Sequence, residues 1–342
     1  MDSLTQAALG ASLAGAVAGK TLGRSVLLTG AVLGTLPDLD VVIDYGTAVA
    51  NFTQHRGFSH SLFVLAPLAV GLAWLLWRWK PQLSFQRWLA LTGLILITHP
   101  LLDAFTTYGT QLFWPIGPPI AVSSIFIIDP LYTLPLLAGC LFFLARPPAK
   151  TAIVAGLAVS TLYLGWSVLA QQVMTHRVQP ALAAAGLENP DLLVQPMPFS
   201  TLLWRATAMQ GDQRVEIVTG FLDGDTPLNL EYFPRRPELA SEVSDLPEAR
   251  RLEWFTRGFL DYNQVSDRIT ATDIRLGIPG AHPFTFVLAT RNGSGIDPTA
   301  SFRTPRPPVS SEALGLLWSR MIAETPVLCL ASLSSPAPGQ RC

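Results

Sequence analysis

Charge falls on this chain in two blocks, and that split limits what the first block can fold into. The 23 Lys and Arg and 24 Asp and Glu divide as eight and six over residues 1–172, with no Glu, and as fifteen and eighteen over residues 173–342. Globular domains carry about 25% charged residues, against 14% for this whole chain. The first block lacks the polar residues to cover a solvated domain, while the second has ordinary soluble density. A one-domain cytosolic enzyme is excluded. A net charge of −1 without a basic block argues against nucleic acid as a partner. Cys140, Cys329 and Cys342 show no CxxC spacing, so no zinc ribbon is encoded, although the last two could bridge.

A spanning helix needs about 20 predominantly apolar residues. Ser61–Trp79 and Thr151–Gln172 meet that requirement, and Trp88–Phe105 and Ala121–Ala145 come close. Leu4–Gly19 and Ser25–Leu36 are shorter and rich in Ala and Gly, which suits close helix packing. The expectation is an α-helical integral membrane domain of about six hydrophobic helices over residues 1–172, followed by a soluble α+β domain. The basic residues Lys20/Arg24, Arg78/Lys80/Arg87 and Arg146/Lys150 follow the first, third and fifth of these helices. If all six cross, the positive-inside rule makes those loops cytoplasmic and the second half extracytoplasmic.

The polar residues of the first half are clustered. Pro37-Asp38-Leu39-Asp40 ends the second apolar run, His55-Arg56-Gly57-Phe58-Ser59-His60-Ser61 opens the third, and His99-Pro100-Leu101-Leu102-Asp103 closes the fourth. His99 and Asp103, four apart, share one face of a helix. Gly57 is expected to turn the backbone so that both His55 and His60 point inward. Ionisable groups at membrane depth are costly and mark function. Asp38, Asp40, His55, His60, His99 and Asp103 together are a ligand set for zinc, manganese or iron, as one or two ions. Asp40 is either a ligand or a general base, and Arg56 either clamps a substrate phosphate or pairs with Asp40 or Asp44. Ser59 and Ser61 read as nucleophiles or as helix caps. Asp44 reads as a solvated loop residue, His176 and His282 as surface residues, and Asp129 as a partner to the cluster or a cap ahead of Pro130.

These motifs, with the opening Met1-Asp2-Ser3-Leu4-Thr5-Gln6, resemble the bacterial family of membrane-bound metal-dependent hydrolases, also described as LexA-binding and inner-membrane-associated. The resemblance covers roughly residues 1–172. It implies metal-dependent hydrolysis at the inner membrane, and a distant likeness to zinc-dependent phospholipase C and P1-type nucleases. Some relatives of that family carry a His where Gln6 stands here, so the resemblance implies no ligand from the first helix in this chain.

In the second half, the prolines of residues 173–200 suggest a linker. Strands are expected at Thr201–Met209, Arg214–Thr219, Arg268–Leu276 and Pro283–Ala289, and helices at Glu238–Phe259 and Ser310–Ala323. This gives one antiparallel sheet with two helices over residues 201–331, then a disordered tail at 332–342. Two functions compete. One is a hydrolase cleaving an ester or phosphoester of a lipid or lipid-linked substrate with a metal-activated water; Asp40 and Arg56 would act on substrate. The other is a non-catalytic, metal-stabilised membrane scaffold.

Overall fold

The computed structural model describes residues 1–146, 150–293, 295–306, 311–323 and 328–330. The chain divides into two units. The first holds Met1–Ile43, Gln54–Ala170 and Pro198–Ser200; the second holds Asp44–Thr53, Gln171–Met197 and the chain from Thr201 onward.

The first unit is helical. Helix α1 (Ser3–Leu22) is capped by Asp2, whose carboxylate accepts from the amides of Leu4 and Thr5, both at 3.1 Å. It packs on α2 (Ser25–Thr35) through glycine. A Cβ on Gly10 would lie 2.2 Å from the Gly30 carbonyl oxygen, and one on Gly34 would lie 2.5 Å from that of Gln6. Only bare backbones can approach so closely. Helix α4 (Leu62–Trp79) pairs with α5 (Phe85–Ala104), and α6 (Pro130–Ala145) precedes the long α7 (Lys150–Ala184). Ala14, Ala18, Trp88, Leu91, Ile95 and Phe143 form the main apolar core.

The expectation of about six membrane helices is overturned. Among the described residues only two helices, α4 with 18 residues and α7 with 35, are long and apolar enough to cross a membrane. Helices α2 and α6, at 11 and 16 residues, are too short. Eleven of the twenty residues of α1 are buried within the protein. Without six crossings, the loop alternation that placed the second half outside the cell has no basis.

Among its described residues the second unit carries eight strands in two antiparallel sheets rather than one. Strands β1 (Asp191–Pro196), β2 (Leu203–Gln210), β3 (Gln213–Gly220) and β4 (Leu230–Pro234) form the first sheet in sequence order. Strands β5 (Leu260–Val265), β6 (Arg268–Asp273), β7 (Thr285–Asn292) and β8 (Gly295–Arg303) form the second. Residues 173–200, expected as a linker, instead continue α7 to Ala184 and then form β1. The helix expected over Glu238–Phe259 is split into α8 (Pro237–Val243) and α9 (Pro247–Thr256). Pro247 explains the break, because it disfavours helical backbone at Leu246, which is extended. The last helix, α10, spans Ser311–Ile322. A short helix from early in the chain, α3 (Ala48–Gln54), lies almost wholly in this unit. Its Phe52 ring sits 5.1, 4.6 and 5.2 Å from those of Phe255, Phe284 and Phe286. The expected tail at 332–342, with Cys342, lies outside the described residues.

Candidate metal centre

Three short stretches bring four side chains together in the first unit. After α2, Pro37 opens a 3-10 turn, Pro37–Val42, that presents Asp38. A second 3-10 turn, Phe58–His60, presents His60, and Ser61 then caps α4 by accepting from the Phe63 amide at 3.3 Å. His99 and Asp103 lie one turn apart near the end of α5. One ligand atom from each of Asp38, His60, His99 and Asp103 falls within 4.8 Å of all the others. His60, His99 and Asp103 are buried, and Asp38 is partly so.

Hydrogen bonds at the outer imidazole nitrogens fix the inner ones. His99 Nδ1 lies 2.7 Å from the Gly34 carbonyl oxygen, a pure acceptor, so Nδ1 carries the proton and Nε2 is a bare lone pair. Ser59 donates its hydroxyl hydrogen to Asp40 Oδ2 at 2.6 Å, and Ser59 Oγ lies 2.9 Å from His60 Nδ1. With its hydrogen already given, Ser59 accepts from Nδ1, and His60 Nε2 is also a lone pair. The two Nε2 atoms then face each other at 3.1 Å. Asp38 Oδ1 lies 3.4 Å from each, and Asp103 Oδ2 lies 3.3 Å from His60 Nε2 and 3.7 Å from His99 Nε2. Four acceptors converge where no donor hydrogen is required by their other bonds.

Such a set calls for a cation or an extra proton. Metal bonds of about 2.0–2.2 Å at tetrahedral angles place neighbouring donors roughly 3.3–3.6 Å apart. Five of the six separations run from 3.1 to 3.7 Å, and the sixth, between the two carboxylate oxygens, lies within 4.8 Å. The buried Asp/His/His/Asp group could therefore hold a metal ion. Without one, a proton serves the same need. Burial alone would lower the His60 imidazole, but the Asp103 and Asp38 carboxylates outweigh that and raise it. Burial would likewise raise Asp38, yet the His60 and His99 imidazoles beside it hold it below the usual carboxylate range.

Other groups hold these ligands in place. Asp103 Oδ1 accepts from Gln6 Nε2 at 2.9 Å and from the Met1 ammonium, which turns Oδ2 toward the histidines. Arg56 is buried, with Nε 3.1 Å from Asp103 Oδ2 and Nη1 donating to Thr106 Oγ1 at 3.2 Å. It pairs with Asp103, not with Asp40 or Asp44. The left-handed residue of this turn is Arg56, at φ 60°, rather than Gly57. Gly57 is required for a different reason, since a Cβ there would lie 2.7 Å from the Gln54 carbonyl oxygen.

Asp40 and His55 stand beside the four rather than among them. Asp40 accepts from the Arg56 amide at 2.9 Å and from Ser59, and bonds His55 Nδ1 at 2.8 Å. A 3-10 turn advances about 120° per residue, so Asp38 and Asp40 point in different directions. Asp44 accepts from the Gly46 amide and from Asn51 in an exposed loop. Asp129 is a cap on α6, accepting from the Leu131 amide at 3.0 Å, and its other oxygen accepts from the Tyr163 hydroxyl at 2.9 Å. His176 is exposed. His282, expected at the surface, is buried in the second unit, with Nδ1 2.7 Å from the Leu276 carbonyl oxygen. Sequence reasoning missed the Gly34 carbonyl, which carries no side-chain signal, and the Ser59 bridge, which only its place beside His60 could have suggested.

The profile of the YdjM inner membrane protein family matches residues 1–174, half of the chain and all four converging residues. The chain belongs to that family. Inner membrane protein YbcI of Escherichia coli (strain K12) is 36% identical over 115 residues, 32% of this chain and 64% of that protein. YfhP of Bacillus subtilis (strain 168), described as an uncharacterized protein, is 30% identical over 138 residues, 38% of this chain and 42% of its own. The chain thus spans less than two thirds of either relative. No solved structure matches significantly. The family description supports a bacterial inner-membrane location, and neither hydrolysis nor LexA binding is part of it.

Proposed function

We propose that this protein is a metal-dependent hydrolase of the bacterial inner membrane, anchored by α4 and α7, that cleaves an ester or phosphoester of a lipid or lipid-linked substrate. The observation that carries the reading is the convergence of four lone pairs from Asp38, His60, His99 and Asp103 with both imidazole tautomers fixed from outside. Two imidazoles and two carboxylates suit zinc best; manganese or iron prefers more oxygen ligands. A divalent ion bound there supplies a Lewis acid and lowers the pKa of a bound water. Asp38, the most exposed of the four, marks the side from which substrate reaches the centre. Asp40 acts as a positioning residue: it takes the Ser59 hydrogen and so keeps His60 Nε2 free. Arg56 holds the Asp103 carboxylate, and its charge favours an anionic substrate at the same place.

One observation favours the second reading, a metal-stabilised scaffold. Four protein donors complete a tetrahedron, whereas catalytic zinc sites usually keep one position open. The test is turnover by the full chain, loaded with zinc in detergent, on a panel of phospholipids and soluble phosphodiesters. Hydrolysis that stops on chelation and returns with zinc is expected. Stoichiometric metal with no turnover on any substrate, and unfolding on chelation, would establish the scaffold instead.

A further inference from the structure

Between α5 and α6 the chain runs through residues 105–129 without a helix or a named strand. Residues 104–128, a stretch of 25, contain no Asp, Glu, Lys, Arg or His. Loops this long without regular structure are uncommon in compact domains and tend to be functional. A loop in water carries charges; this one exposes Phe113 and Ile116, at 47% and 68%. It is nonetheless held firmly against the ligand-bearing segment. Leu62 donates its amide to the Leu112 carbonyl at 2.9 Å, Ser61 its hydroxyl to the Trp114 carbonyl at 2.9 Å, and Gln111 its amide to the Arg56 carbonyl at 3.1 Å.

Two ring contacts fix its depth. The Phe113 ring lies 6.2 Å from that of Phe63, in the first turn of α4, and the Trp114 ring lies 6.2 Å from that of Phe58, two residues before His60. Helix α4 is one of the two candidate spans. The exposed apolar tip of the loop is therefore continuous with the start of a candidate span. Irregular backbone is not tolerated in the hydrocarbon core facing lipid, but aromatic and apolar side chains are favoured at the headgroup level.

We infer that the loop tip around Phe113, Trp114 and Ile116 is a membrane-interface platform that seats the rim of the Asp38/His60/His99/Asp103 centre in the lipid headgroup layer. Its occupant is the bilayer itself, not a protein partner. Resting on the hydrolase reading, it assigns the substrate class as an amphiphile whose apolar part stays in the bilayer while its polar ester meets the centre.

The test is the depth of residue 116. Ile116→Cys in the full chain carries an environment-sensitive fluorophore, in nanodiscs of phosphatidylethanolamine and phosphatidylglycerol, with the parent chain labelled in parallel as a blank. Shielding from aqueous iodide, with stronger quenching by lipids spin-labelled near the headgroup than near the chain end, is expected. Full access to iodide would overturn the inference, and so would shielding without any lipid quenching, which means that protein covers the loop. The readout needs no turnover, so an immersed loop beside an inactive centre defeats the hydrolase reading alone. A water-exposed loop beside an active centre defeats this inference alone.

Discussion

Both units bury charge, and they do so in opposite ways. In the β-rich unit each of three buried carboxylates meets a guanidinium in a two-bond fork. Arg205 bonds Glu216 at 2.8 and 2.8 Å, Arg275 bonds Asp273 at 2.9 and 2.7 Å, and Arg320 bonds Asp223 at 2.6 and 2.6 Å. These pairs are neutral and geometrically complete, which makes them structural. In the helical unit two carboxylates and two imidazoles face one another, and Asp103 is met by a single nitrogen of Arg56 and by the Met1 ammonium rather than by a fork. Charge that is matched inside the protein maintains a fold; lone pairs left facing each other call for something from outside.

The largest effect should come from breaking a fork. Arg205→Ala leaves buried Glu216 with Arg214 Nε, 3.5 Å away, as its counter-charge, so the loss from the second unit should be about 3 kcal/mol, the low end of the cost of breaking a buried pair. Hydrogen exchange of the β2 and β3 amides reads that loss, and metal content should not change. Unaltered protection would show that the forks are not what holds this unit.

Arg56→Ala sharpens the contrast, because its cost should depend on the metal. With a cation beside it, Asp103 keeps a counter-charge and the variant should be nearly as stable as the parent. After chelation the buried carboxylate loses its guanidinium, and roughly 3 kcal/mol should be lost. Thermal unfolding with and without zinc measures both. Equal losses in the two states would mean that no metal ion neutralises Asp103.

Ser59→Ala should weaken metal binding by about 10–100-fold, the usual cost of removing a group that orients a ligand. Competition with a chromogenic chelator measures it. Ser59→Thr, which keeps the hydroxyl, should restore most of the affinity. Unchanged affinity in the alanine variant would remove the Asp40–Ser59–His60 chain from the account.

The smallest effect concerns pH in the second unit. Burial, with Arg205 and Arg214 adding to it, lowers the His282 imidazole to about 3. Its ordinary value is about 6.5, so between these pH values the unfolded chain binds a proton that the folded one does not. Stability is therefore lost as pH falls below about 6.5, by roughly 1.4 kcal/mol for each further unit at most. His282→Gln should flatten that acid slope in unfolding measured from pH 7 to 5. An identical slope would place the acid sensitivity elsewhere.

Much of the centre was legible because its motifs are local. His99 and Asp103 share a face wherever α5 is helical, and Asp38 and His60 each sit at the end of an apolar run. The exclusion of Asp40 and His55 was not legible, since it depends on the Asp40 carboxylate being taken up by His55, the Arg56 amide and Ser59, contacts 15 to 19 residues apart in the chain. The count of membrane helices failed for a related reason. Apolarity in α1 and α2 accompanies a glycine-mediated contact between Gly10, Gly30 and Gly34 within the protein. Composition alone does not distinguish such a contact from contact with lipid. In the second half the alternation of apolar residues marked several strands, but nothing local announced two sheets, whose pairing is set by contacts distant in sequence.

The central claim is that Asp38, His60, His99 and Asp103 bind one metal ion, and elemental analysis of the purified full chain tests it most directly. One zinc per chain is expected in the parent, with most of it lost in both His60→Ala and His99→Ala while Asp44→Asn retains it. Metal absent from the parent after zinc loading, or equal metal in the parent and both histidine variants, would contradict the account.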